Sequence, residues 1–208
     1  MADQSARIGE IIETDSLGFV AQRLQSGDEE ALLPPQPPNL GSLVYAHLLP
    51  AGRAFAIVAH GTTTGYDRGR QAIVRTREDV ADAAVYREHP HLVGVLRTQF
   101  LALLVGYEDG EGRLFRHLPP QPPALHYAVY TCTPQEVVRF AEDLRYLRLL
   151  LNATGPVPPE QLLAAHLREV YWATGGDALW LEGAARYVAN LLKRDYDQLR
   201  AALEALDV

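Results

Sequence analysis

Up to about Thr133 the chain is made of short apolar or alternating runs, each closed by Gly, Pro, Asn or Asp. Beyond it, apolar residues recur at three- and four-residue spacing to the end. The first texture predicts strands. "RIGEIIET" and "LGFVAQRL", parted only by "DS", read as a hairpin, and "GSLVYAHL" and "AFAIVAHG" are parted by the turn "LPAGR". "QFLALLVGYED" and "PALHYAVYTC" bring the count to about six. Several of these runs are apolar at successive positions, so both faces of the strand are buried. A small closed antiparallel barrel satisfies that better than an open sheet.

Between the fourth and fifth runs lies a helical insert. Thr76 is placed to cap "REDVADAAVYREH", with Asp79 at the capping-box position, and Pro90 opens "PHLVGVLRTQ" as a short helix. The second texture predicts three helices. "TPQEVVRFAEDLRYLRLLL" begins with Thr133 as N-cap, Pro134 at N1 and Glu136 three residues after the cap. "PEQLLAAHLREVYWAT" stops at Gly175-Gly176, and Asp177 caps the last helix, whose apolar face includes Leu181, Val188, Leu192 and Leu199. The fold class is therefore α+β. Residues 1–6 form a flexible N-terminus, 7–133 a barrel with a helical insert, and 134–208 a C-terminal three-helix segment.

Composition changes this picture little. Hydrophobic residues at 48% and charged residues at 22% are ordinary for a globular chain. A formal charge of −7 opposes nucleic acid and anionic membranes as partners of the whole surface. The one cysteine, Cys132, forms no internal disulfide, and no apolar run is long enough to span a bilayer, so a cytoplasmic location is expected. Of the 19 lysines and arginines only Lys193 is a lysine, and it stands in "NLLKRDYD" with no glycine before it. A phosphate-binding P-loop needs its lysine at the end of a glycine-rich turn, so this chain is not a P-loop ATPase by itself.

The sequence "LPPQPP" occurs twice, at 33–38 and 118–123, each time shortly before a strand. Proline cannot donate to a sheet ladder, and a run of it is stiff. The repeat is expected to be a lead-in that carries the chain across the barrel into a strand, rather than a ligand for an SH3-like domain.

"IGEIIETDSLGFVAQRL", "PPNLGSLVYAHL" and "FAIVAHGTTTGYDRGRQAIV" in that order resemble the HAS barrel. This is the small β-barrel shared by HerA-type DNA translocases and the N-terminal crowns of rotary ATP synthase subunits. The likeness continues in "PHLVGVLRTQFLALLVGY" and "LPPQPPALHYAVYTCTPQEV" and covers most of residues 7 to 133. The helices after it resemble the tail of stand-alone HAS-barrel proteins of bacteria. In HerA an ATPase core follows the barrel. None follows here, so translocation is not carried over. The resemblance implies an assembly role: a non-enzymatic adaptor that docks on a protein partner, such as a HerA-type ATPase or its nuclease, or that self-associates.

Candidate chemistry is sparse. Arg68, Arg70, Arg75 and Arg77 form the one dense basic patch and are the expected partner-binding residues. Only Tyr66 lies close enough to interleave with them, so single-strand stacking and tight DNA binding are not expected. The stretch "HGTTTGYDRGR" reads as a hydrogen-bonded rim turn. Its alternative is a phosphate cradle over residues 60–70, which would make the protein a nucleotide- or phosphate-binding protein or enzyme. His89 and His91 beside Glu88 lack a third ligand at supporting spacing, Cys132 lacks a sequence-local base, and no hydrolase motif is present. No cofactor, metal or catalytic residue is therefore assigned. Trp172, Trp180 and Tyr187 are expected to pack against the barrel.

Overall fold

A computed structural model describes residues 5–24, 36–65, 82–89 and 91–206. The described residues form seven strands: β1 (Arg7–Thr14), β2 (Gly18–Arg23), β3 (Leu43–His47), β4 (Arg53–Gly65), β5 (Leu96–Glu108), β6 (Leu114–Phe115) and β7 (Ala128–Thr131). They pair in the order β2-β1-β7-β3-β4-β5, and β5 returns to β2, so six strands close into an antiparallel barrel. The two-residue β6 adds a short hairpin on the end of β5. The six barrel strands are the six apolar runs of the sequence.

The double apolar character of β3, β4 and β5 now has a cause. One set of their side chains fills the lumen: Val44 and Ala46, Ala54, Ala56 and Val58, then Phe100, Ala102 and Leu104. Four of these are alanines, and they leave the width that Phe19, Phe100, Ile8 and Ile11 occupy. A six-stranded barrel is narrow enough for side chains to pack it solid. The alternate set, Leu43, Tyr45, Phe55, Ile57 and Val105, faces outward into a second core closed by the C-terminal helices. Strands β1 and β2 carry Glu10 and Gln22 on that outer side instead, and both are only half-buried.

Two short helices, α1 (Asp82–Glu88) and α2 (His91–Gly94), precede β5. The helix expected over "PHLVGVLRTQ" ends at Gly94 because strand pairing takes over. Leu96 to Phe100 register against Gly65 to Gly61 of β4, and the extended ladder outcompetes a second helical turn. The proposed Thr76 cap and Pro90 fall outside the described residues.

The three helical stretches after Thr133 are present, the first and last each interrupted. α3 (Pro134–Ala141) opens with the complete capping box, the Thr133 hydroxyl accepting from Glu136 N–H and the Glu136 carboxylate accepting from Thr133 N–H. It ends where Asp143 caps a new 3-10 turn, Leu144–Tyr146, which runs on into α4 (Leu147–Leu151). α5 (Pro159–Ala173) stops where Gly175 and Gly176 take positive φ. α6 (Ala178–Leu191) starts on the Asp177 cap, and α7 (Tyr196–Leu206) follows a break at 192–195. α5 is the central helix: it packs on α3, α4, α6 and α7, and Leu162, Leu163, Leu167 and Val170 are all buried.

Each proline strap does lead into a strand. In the first copy, the described residues Gln36–Pro38 run to β3 along the flank of β4. Val58 exchanges bonds with Gly41 and Ser42, and a Cβ added to Gly61 would come within 2.5 Å of Pro37. Pro37, which has no N–H to offer, guards the β4 edge there. The second copy crosses the β3–β4 turn, where Pro120, Gln121 and Pro122 line a cleft with Leu49, Pro50 and Tyr107 before β7 begins.

Candidate interaction surfaces

Arg68, Arg70, Arg75 and Arg77 lie outside the described residues, as do Asp67 and Tyr66. What is described is their mounting. β4 pairs with β3 only up to Ile57, yet continues to Gly65 with β5 alone as its partner among the described residues. The stretch from Gly61 to Gly65 is about 14 Å long at ~3.4 Å per residue. Gly61, Thr62, Thr63 and Thr64 are exposed, and Thr63 and Thr98 join hydroxyls at 2.8 Å across the ribbon. The first half of "HGTTTGYDRGR" is thus not a turn but a strand. β-branched threonines suit a ladder. Alternate N–H groups of this stretch are committed to β5.

At the far end of β4 a charge network joins barrel to helices. Arg53 Nε and Nη2 donate to Glu108 Oε1 at 3.2 and 3.1 Å, and Nη1 donates to Glu136. Arg139 donates to the other Glu108 oxygen at 3.0 Å and to the Gly112 carbonyl at 2.9 Å. The Arg53 guanidinium lies 4.9 Å from the Tyr45 ring centre and 5.2 Å from that of Phe55. Burial opposes its charge, but the bonds and fields of Glu136 and Glu108 outweigh burial and raise its pKa. Glu136 is shifted the other way: burial works against its charge, yet the Thr133 N–H and Arg53 hold it below its ordinary value. Paired and hydrogen-bonded on both sides, these carboxylates fix the angle of α3 against the barrel.

A second polar link is fully buried. His166 on α5 bonds Gly41 O through Nδ1 at 2.7 Å, and its Nε2 meets Tyr146 Oη at 2.8 Å. A carbonyl only accepts, so Nδ1 carries the proton and Nε2 accepts from the tyrosine hydroxyl. Burial drives the His166 pKa down to about 4, against a smaller upward pull from Gly41. Gly41 sits at φ +87°, and a Cβ there would lie 2.5 Å from the backbone of Ala165 and His166. Only glycine allows α5 to come this close to the strand lead-in.

The remaining candidates are local. Cys132 is half-buried, and desolvation raises its thiol pKa, so the thiolate that reactivity requires is disfavoured. His126, the nearest histidine before it in the sequence, stands in the turn before β7 at φ +65°, bonded to Glu10 at 2.9 Å. The His89 and His91 rings touch edge to face, and no cluster of three metal-ligating residues occurs among the described residues. Trp180 and Tyr187 pack on the outer core as expected, but Trp172 is 67% exposed and leans on Tyr171 instead. A cleft of about 450 Å³ opens between the β1–β2 turn, β5 and the end of α4, lined by Leu17, Leu101, Leu103 and Leu149 with Glu13 and Asp15 at its polar side. Lys193 is exposed in the turn between α6 and α7. Among the described residues no helix is long and apolar enough to cross a membrane.

The Arg53 network and the His166 link were absent from the sequence reading. Arginine at a strand start and glutamate at a strand end carry no local signal of pairing, and the partners of Arg53 are 55 and 83 residues away. Only Glu136 gave notice of itself, through the capping box. No protein-family model and no curated protein matches the chain.

Proposed function

We propose that the chain is a non-enzymatic docking module of the cytoplasm, a stand-alone HAS-like barrel whose helical tail is fused to its wall. It engages an acidic surface of a protein partner through Arg68, Arg70, Arg75 and Arg77. The observation that carries this reading is the β4–β5 ribbon. It runs beyond the strand β3 pairs with and delivers the chain, exposed and polar, into the segment that holds all four arginines. The β4 side of this extension, Gly61 to Thr64, is exposed rather than packed in the core, and clustered guanidiniums pair in bidentate fashion with carboxylates.

Two further features support it. The lumen is filled by its own side chains, so the barrel is a scaffold rather than a container. The partly buried Arg53, Glu108 and Glu136 serve one another, as do the buried Tyr146 and His166, which is the pattern of a structural joint. By its resemblance to the HAS barrel, the partner class is a HerA-type ATPase, its nuclease, or further copies of this chain.

The competing reading is a nucleotide- or phosphate-dependent enzyme at residues 60–70. Binding and turnover of ATP and GTP by the pure protein separate the two. The docking reading expects neither. Turnover above background, abolished by replacing the arginines or Lys193, refutes it.

A further inference from the structure

Arg23 ends β2 at the mouth of the barrel. Phe19 and Ala21 on the same strand point inward, and alternation carries Arg23 inward as well. Its cross-strand partner on β1 is Gly9, where a Cβ would come within 2.8 Å of Gln22 O and 3.2 Å of the Phe100 ring. The missing side chain gives room to the Gln22 carbonyl and the Phe100 ring beside the arginine's strand. On the other side, β2 pairs Gln22 with Gln99, and one step further along β5 stands Thr98, which faces inward with Phe100 and Ala102 and bonds Thr63. The mouth therefore gathers one guanidinium and two hydroxyls above an apolar plug.

The guanidinium is under-served. Among the described residues its Nε is buried with no hydrogen-bond partner, and the bond it makes is a long 3.5 Å contact from Nη1 to Ile8 O. Other described arginines are better served: Arg53, Arg113, Arg139 and Arg145 pair with carboxylates, and Arg116 donates to the Arg139 and Phe140 carbonyls. The contrast with Arg53 is direct. Both are partly buried, but the Arg53 pKa is raised by two glutamates, whereas burial alone acts on Arg23 and lowers its pKa. A buried donor left unpaired costs stability, and a charged one costs more. An anion in the mouth removes that cost.

We propose that the barrel mouth is an oxyanion site in which Arg23 binds a phosphate or carboxylate group. The fork of Nε–H and Nη–H matches the two oxygens of either group. The site is at the end of the barrel from which the β4–β5 ribbon extends, but it stands independently of the docking role proposed for the four arginines.

The test is thermal unfolding of the full chain at fixed ionic strength, with sodium phosphate or sodium acetate replacing sodium chloride. Wild type, Arg23→Gln and Arg23→Lys are compared. At ten times the dissociation constant, a site of this kind raises Tm by about 4 °C for a chain of this size. The rise should saturate in wild type, shrink in Arg23→Lys and vanish in Arg23→Gln. A response to acetate as well as phosphate identifies a carboxylate source, such as a partner's acidic side chain. A response to phosphate alone identifies a phosphorylated ligand. Equal shifts in wild type and Arg23→Gln, or none, overturn the proposal. If Arg23→Gln does not fold, the Nε–H proton resonance of Arg23 in wild type decides: saturable movement with phosphate supports the site, and a fixed resonance refutes it.

Discussion

His166 should make the stability of this protein fall steeply between neutral and mildly acid pH. In the fold its ring is neutral, donating to Gly41 and accepting from Tyr146, with a pKa of about 4 against the ordinary 6.5. The unfolded chain takes up a proton below pH 6.5 that the fold refuses until about pH 4. The contribution of this group is therefore complete above 6.5 and drains away as pH falls to about 4. The difference is about 3 kcal/mol at roughly 1.4 kcal/mol per unit. Glu136 also loses stabilising ionisation at acid pH, so wild type alone does not isolate the histidine. His166→Asn does. Its amide can still donate to Gly41, while Tyr146 loses its acceptor and the ring leaves a cavity, at a cost of about 3 kcal/mol at pH 7. Urea unfolding of both proteins at half-unit steps from pH 7.5 to 4 gives the difference curve. It should close from about 3 kcal/mol towards zero as the pH falls. A difference that stays constant across that range would show that His166 titrates like a solvent-exposed imidazole, and the argument from burial would fail.

Arg53→Met removes the shared cation of Glu108 and Glu136 and should cost about 3 kcal/mol, with little dependence on salt, in urea unfolding. Gly41→Ala drives a Cβ into the α5 backbone at a positive φ and should lower stability by more than ~3 kcal/mol, read as a Tm drop of roughly 10 °C. Thr133→Ala breaks one half of the capping box and should cost about 1 kcal/mol, with the near-UV spectrum unchanged.

Much of the architecture was legible because it is local. The strands announced themselves through runs bounded by turn residues. Thr133-Pro134-Glu136 and Asp177 marked two helix starts, and Gly175-Gly176 marked a helix end, each through one backbone requirement. What was not legible depends on distant neighbours. The break between α3 and α4 follows from Asp143 bonding Arg145 N–H, a capping choice hidden inside a continuous apolar periodicity. The strand character of Gly61 to Gly65 needs β5 beside it, and glycines around threonines look like a turn until that partner is known. Trp172 lies on the solvent side of α5, which the apolar count alone could not assign. The candidate site was legible only as composition: four arginines in ten residues, with no indication that a two-stranded ribbon leads to them.

The central claim is that those arginines hold a protein. The direct measurement is co-elution of purified chain with a native-cell extract, comparing wild type with the quadruple alanine variant of Arg68, Arg70, Arg75 and Arg77. A DNA-shift assay is run beside it at physiological salt. The account predicts that wild type carries a stoichiometric protein partner, that the variant loses it while unfolding at the same temperature, and that DNA binding stays weak in both. Tight DNA binding lost in the variant, with protein association unchanged, would contradict it.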